Sequence, residues 1–264
     1  MPIHYTRRLT GRSRTPAADR HLGCVLAAIA GAINAVGFGV LGHYTSHMTG
    51  MASTFSERII ARDKLAALAA GLAIAAFICG AACCTVMIHH ARRRRLHSEF
   101  ALPLLLESAL VLAVALAGAA TGGVAAWATI CTLTFAMGLQ NALITKISRG
   151  EIRTTHVTGI VTDLGIECGR ALARLGGFDS SVRAEGGASG TRARLLAALL
   201  AAFVAGCVAG TFAVQHAGRL AFLPAGLALA LVALAPAFDD LRRRPAVSGG
   251  LDEGRPAPQD TRAS

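Results

Sequence analysis

Six long apolar runs limit what this chain can fold into, because each is long enough to cross a lipid bilayer as a helix. Of the 26 Lys and Arg and the 15 Asp and Glu residues, only Glu107 falls inside a run. About 20 apolar residues span a hydrocarbon core of ~30 Å. We therefore predict an all-α integral membrane protein with six transmembrane helices. The runs cover 21–42, 65–88, 100–120, 124–145, 195–216 and 221–238.

The sixth run is the shortest and carries Pro224 and Pro236 near its ends. A re-entrant or interfacial helix is therefore the alternative for this run.

The basic residues predict how the chain is oriented. The net charge of +11 would suggest nucleic-acid binding in a soluble protein, but only 16% of the residues are charged. With the N-terminus inside, 22 of the 26 Lys and Arg residues lie on the cytoplasmic side. Positive charge concentrates on that side of membrane proteins. We expect a bacterial inner-membrane protein with both termini cytoplasmic and no nucleic-acid partner. The arginine clusters at 92–95 and 242–244 are expected to bind anionic lipids of the bilayer.

A sequence pattern occurs twice and divides the chain into two halves. Gly-x-x-Asn-Ala is followed by Thr-[Ser/Thr]-His-x-Thr-Gly, with 13 residues from Asn34 to His47 and 15 from Asn141 to His156. We call 45–50 the first segment and 154–159 the second segment. Two further matches, 76–80 with 202–206 and 102–103 with 223–224, extend the similarity. The chain thus contains two three-helix repeats.

The predicted organisation follows from these repeats. A basic N-terminal segment (1–20) precedes the first repeat (21–120) and the second repeat (121–240), and a disordered cytoplasmic tail (241–264) ends the chain. A Gly- and Ser-rich insertion at about 176–193 reads as a flexible cytoplasmic loop. Three spans is an odd number, so the second repeat enters the bilayer from the opposite side. Inverted repeats of this kind are typical of transporters, whose sites form where the halves meet.

The repeated segments supply the candidate binding site. They are rich in hydroxyl groups and glycine, which suits backbone that leaves regular helix within a membrane. A helix beginning near Thr158 would direct its positive end toward an anion, although simple helix capping by Thr49 and Thr158 is the alternative. A helix–helix hydrogen bond is likewise the alternative for the two asparagines. The candidate substrate-binding residues are Asn34, His47, Thr49, Gly50, Gln140, Asn141, Thr155, His156, Thr158 and Gly159.

Glu107 is the candidate proton-coupling residue, since an ionisable group within a span faces the bundle interior or a water cavity. A solvated or Arg-paired structural role is its alternative. The cysteines and histidines do not form a convincing ligand set, so we expect no metal and no cofactor. Gly206 and Gly210 form a GxxxG pair that suits either packing within one molecule or oligomerisation.

The repeated residues also resemble a known family. Gly31–Phe38, His47–Gly50, Gln140–Ala142 and Thr154–Gly159 are similar to the YoaK-like bacterial inner-membrane proteins, a family defined by a domain of unknown function. The resemblance covers roughly residues 20–240 and implies a multi-spanning membrane protein without an established substrate.

These observations lead to two hypotheses about function. The first is a small transporter or permease for a polar or anionic solute, with its site formed by the two segments. The second is a scaffold or sensor subunit of the membrane that transports nothing. An enzyme is not expected, because no nucleophile–base pair or phosphate-binding loop has diagnostic spacing.

Overall fold

The structure is a computed structural model that describes residues 15–94, 96, 99–117, 123–148, 150, 152–175 and 186–242. The described residues form α-helices joined by short connections. They are α1 (Pro16–Leu41), α2 (Met48–Ile60), α3 (Lys64–Arg93), α4 (Ala101–Leu116), α5 (Gly123–Ile147), α6 (Val157–Leu175), α7 (Gly186–Ala217) and α8 (Phe222–Arg242). A 3-10 turn, Gly218–Ala221, connects α7 to α8.

The apolar runs fall on α1, α3, α4, α5, α7 and α8. By length and composition, four stretches are able to cross a membrane: Pro16–Leu41, Lys64–Arg93, Gly123–Ile147 and Gly190–Leu234. The last stretch joins α7 and α8 through the 3-10 turn, and α4 is apolar but shorter, at 16 residues. The all-helical prediction is therefore confirmed for the described residues.

Helix boundaries follow from local capping. Thr15 precedes α1, and its hydroxyl accepts a hydrogen bond from the Ala18 amide at 3.3 Å. Gly42 ends α1 in the left-handed conformation, with φ of 70°, which suits glycine. Asp63 begins α3 in the same way as Thr15, accepting from the Ala66 amide at 3.1 Å.

Two predicted boundaries need adjustment. Residues 186–193, expected to belong to the flexible loop, are the beginning of α7, while 176–185 lie outside the described residues. The apolar run that begins at 195 therefore continues a helix whose first two turns are rich in glycine and alanine. The predicted tail also lies outside the described residues from 243 onward.

Three helix pairs build the bundle. Helix α1 packs against α7, α3 against α5, and α4 against α8. Their shared core is aliphatic, and its largest fully buried side chains include Leu22, Leu26, Ile33, Leu104, Leu133, Met137, Leu143 and Phe222. The opposite faces of α3, α7 and α8 expose large apolar side chains, among them Leu68, Ile78, Val208, Phe212 and Leu231. Apolar residues on the outer faces of apolar helices fit contact with lipid.

Glycine allows the closest backbone contacts in two of these pairs. In the α1–α7 pair, a Cβ at Gly31 would overlap the carbonyl oxygen of Phe203, and one at Gly206 would overlap that of Ala28. In the α3–α5 pair, the same holds for Gly138 against Phe77 and for Gly80 against Phe135. Small residues at such positions let transmembrane helices approach closely. The two pairs therefore use the same contact, built from corresponding positions of the repeated sequence.

The α4–α8 pair is antiparallel and is joined by polar contacts. Ser108 donates to the backbone carbonyl of Gly226 at 2.8 Å, and the Arg219 guanidinium donates to that of Ala115 at 2.8 Å. Both bonds satisfy polar groups within apolar surroundings.

Substitution of these glycines tests the packing. We expect Gly31→Ala and Gly138→Ala each to destabilise the protein by about 1–3 kcal/mol, because the added methyl group meets a backbone carbonyl that cannot move alone. Gly165→Ala on α6 is the matched control, since nothing lies near its Cβ position. Thermal unfolding in detergent measures the difference. Equal midpoints for all three variants would contradict this packing.

Candidate functional site

The first segment is tied back to the helix that precedes it. The Asn34 side-chain oxygen on α1 accepts hydrogen bonds from the amide and the hydroxyl of Ser46, at 3.1 and 3.0 Å. Asn34 is buried, so the amide expected to need a partner inside a helix has one. Thr45, the residue before Ser46, is fully buried, and its hydroxyl has no hydrogen-bond partner among the described residues.

Histidine and glycine pack together in both segments. His47 precedes α2, and a Cβ on Gly50 would overlap its ring. His156 precedes α6, and a Cβ on Gly159 would overlap its ring in the same way. The spacing His-x-x-Gly therefore has a structural cause, because only glycine leaves room for the ring over the first helical turn.

The threonines of the segments do not cap these helices. Helices α2 and α6 begin at Met48 and Val157, so Thr49 and Thr158 already lie in the first turns, and both are exposed. The capping interpretation of these two residues is wrong. His47 occupies the N-cap position of α2 without a side-chain hydrogen bond.

The second segment is linked to the carboxyl group in the core. The Thr154 hydroxyl donates to the Gln140 side-chain oxygen at 3.3 Å, and the Gln140 amide donates to Glu107 Oε1 at 3.0 Å. All three side chains are fully buried. Glu107 Oε2 has no hydrogen-bond partner among the described residues. We call Thr154, Gln140 and Glu107 the buried polar chain.

Asn141 and Thr155 do not belong to this chain. Asn141 donates to the Met137 carbonyl on its own helix at 2.9 Å, so it does not repeat the role of Asn34. Thr155 is half-buried, and its neighbour Thr154 makes the contact with Gln140. Sequence symmetry predicted the asparagine, whereas the structure uses the adjacent glutamine.

The two segments lie at opposite ends of α1. Met48 of the first segment and Met51, which follows it, pack in one small cluster with Leu41 at the end of α1. His156 lines a cavity together with Arg20, near the start of α1. Leu41 and Arg20 are about 30 Å apart by helical rise. The histidines therefore do not share a single pocket.

The cavity at the second segment has a volume of about 930 Å³. Its lining includes three arginines: Arg20 of α1, Arg153 just before the second segment, and Arg192 of α7. His156 and Asp163 also line it. Asp163 forms an ion pair with Arg192 at 2.8 Å. Sequence reasoning missed this arginine cluster because its members are far apart in the chain and were read only as an orientation signal.

The described residues contain no group of three or more His, Cys, Asp or Glu side chains arranged to hold a metal ion.

Of the four arginines at 92–95, Arg92 pairs with the buried carboxylate of Glu99 at 3.0 Å.

The long apolar helices and their exposed apolar faces fit a helical membrane protein. Residues 22–235 match the family described as "Protein of unknown function (DUF1275)", and the chain belongs to that family. Comparisons with curated proteins and with solved structures found no match.

A double-mutant cycle tests the buried polar chain. Gln140→Leu should destabilise the protein by roughly 1–3 kcal/mol, because it leaves Glu107 and Thr154 without their hydrogen-bond partner. Adding Glu107→Leu should recover part of that loss, since no buried carboxyl group then remains unpaired.

Thr132→Val is the matched control. Within the described part of the chain, its hydroxyl donates only to the Ala128 carbonyl of its own helix, at 2.9 Å. Thermal unfolding in detergent serves as the measurement, and additive effects of Gln140→Leu and Glu107→Leu would argue against the bond between them.

Proposed function

We propose that this protein is a small permease of the bacterial inner membrane for a polar or anionic solute, with no catalytic reaction. The observation that carries the proposal is the placement of the two segments. The segments lie at opposite ends of the bundle. The first is hydrogen-bonded to the buried side chain of Asn34, and the second to that of Gln140. Transporters built from inverted repeats bring such irregular segments toward one central site from the two sides.

The helix contacts support an inverted repeat. Exchanging α1 with α5 and α3 with α7 converts one glycine-mediated pair into the other. The same exchange swaps α4 with α8, and these two helices pack against each other. Helices α2 and α6 likewise pack on corresponding neighbours, α3 and α7. Such exchange is expected when two similar three-helix units associate around a pseudo-two-fold axis.

The six-span topology is part of the proposal. Helices α7 and α8 have 32 and 21 residues, so each is long enough to cross a bilayer alone. The 3-10 turn between them begins at Gly218, whose φ of 53° allows the chain to change direction. Helix α4 antiparallel to α8 is the arrangement that third and sixth spans require. Both termini are then cytoplasmic. The resemblance to YoaK-like proteins agrees with this topology but does not indicate a substrate.

The residues have different roles in this proposal. His156 and Gly159 line the cytoplasmic cavity and meet the solute there, whereas Thr155, Thr158 and Asn141 remain candidate binding residues that do not line it. Asn34, His47, Thr49 and Gly50 serve the opposite side. Gln140 connects the second segment to Glu107, whose unpaired oxygen is the proton-coupling candidate. A carboxyl group buried in a membrane without a full set of partners is costly, which favours a functional reason for its presence.

Proteoliposomes test the permease directly. Osmotic light scattering with a panel of small sugars, amino acids and organic acids identifies a solute that the protein admits. We expect Glu107→Gln and Thr154→Val to lower the rate of entry of this solute at least tenfold, which corresponds to about 1.4 kcal/mol in the transport barrier. Thr132→Val should transport at the normal rate.

Normal transport by the Glu107 and Thr154 variants would refute the proposed site. If no solute of the panel entered faster than into empty liposomes and a partner protein copurified, a scaffold or sensor subunit would be favoured.

Cysteine labelling tests the inversion. In a cysteine-free background, Thr49→Cys should react with an impermeant maleimide only from the periplasmic side and Thr158→Cys only from the cytoplasmic side. These exposed threonines are better sites than the neighbouring glycines, whose Cβ positions are blocked by the histidine rings. Labelling of both positions from the same side would exclude inverted repeats.

A further inference from the structure

The cavity beside the second segment combines two kinds of surface. Three guanidinium groups, Arg20, Arg153 and Arg192, line it, and they come from three separate parts of the chain. Among the described lining residues, Asp163 is the only acidic one, and its carboxylate is already paired with Arg192. The described part of the lining therefore carries an excess of two positive charges before His156 is considered.

Two of these three arginines are not neutralised by any carboxylate among the described residues. Arg20 and Arg153 have no ion-pair partner among the described residues. Neighbouring positive charges repel one another, and this repulsion is relieved when an anion binds between them. Arginine suits this role because its planar guanidinium donates two parallel hydrogen bonds to a carboxylate or a phosphate.

Apolar side chains supply much of the remaining lining of the cavity. They are Leu195, Leu196 and Leu199 of α7 and Ile160 of α6. Its volume of about 930 Å³ lies within the range of pockets that hold small organic ligands, and it far exceeds the space that one inorganic anion fills. A ligand that used both surfaces would carry an acidic group at one end and several carbon atoms at the other.

We infer that this cavity binds an organic oxyanion, a carboxylate or phosphate monoester with an apolar portion, between Arg20, Arg153 and Arg192 and the leucines of α7. The inference names the solute class of the proposed permease and rests on it to that extent. The same chemistry occurs in a free metabolite and in the headgroup region of an anionic lipid, so the test separates these two sources.

Binding is measured without transport, on the full chain in nanodiscs of phosphatidylcholine. Hexyl phosphate is the probe, and isothermal titration gives its affinity. Hexanol and inorganic phosphate, which each lack one half of the probe, should bind at least tenfold more weakly. Arg20→Gln and Arg153→Gln should each weaken hexyl phosphate binding about tenfold. Added salt should weaken it further.

Arg194→Gln is the matched control, because Arg194 lies on the same helix as Arg192, is exposed, and does not line the cavity. Its affinity should equal that of the native chain. Absence of hexyl phosphate binding, or equal binding by Arg153→Gln and Arg194→Gln, would overturn the inference.

Nanodiscs that contain phosphatidylglycerol distinguish the source of the anion. Binding that persists in them supports a free organic anion, whereas competition by the lipid supports an anionic headgroup in the same site. Binding without any uptake in proteoliposomes would keep the site and refute the permease. If Arg20→Gln and Arg153→Gln left the uptake of a transported solute unchanged, the permease function would stand and this binding site would be refuted.

Discussion

Close backbone contact at four glycines determines how the helices of this protein meet. Lipid is as apolar as the helices, so their association depends on close packing and on interhelical polar contacts more than on exclusion of water. Gly31 and Gly206 bring α1 and α7 together, and Gly80 and Gly138 do the same for α3 and α5. The positions of the polar residues follow from these contacts, because α1 carries Asn34 and α5 carries Gln140.

The buried polar chain is then the main feature that packing alone does not explain. Helices α4 and α5 could associate through aliphatic residues, yet they meet at Glu107 and Gln140. Such a contact stabilises the fold weakly, because desolvation opposes the hydrogen bond, while losing one partner is costly. Glu107 has one carboxyl oxygen without a hydrogen-bond partner among the described residues, and Gln140 and Thr154 connect this group to the segment beside the arginine-lined cavity. This arrangement suits the proposed permease.

The sequence predicted the helical membrane class well, because charge is so nearly absent from the apolar runs. The repeated segments are likewise visible in the sequence. The cause of their His-x-x-Gly spacing is not, because it lies in the packing of the His156 ring over Gly159. Symmetry misled at Asn141, since the second repeat uses Gln140 and Thr154 where the first uses Asn34 and Ser46. The arginine cavity depends on tertiary contacts between distant residues, which periodicity and charge counts do not report.

Access of water to Glu107 is the decisive test of the proposed permease. The carboxyl group is fully buried in this conformation, so a permease must reach another conformation that opens a polar route to it. Inside-out membrane vesicles expose the cavity side to a water-soluble carbodiimide, and mass spectrometry reports which carboxyl groups react. We expect Glu107 to be modified and Thr154→Val to slow the modification. Reaction of Glu107 only with a lipid-soluble carbodiimide, or with neither reagent, would contradict the proposed permease.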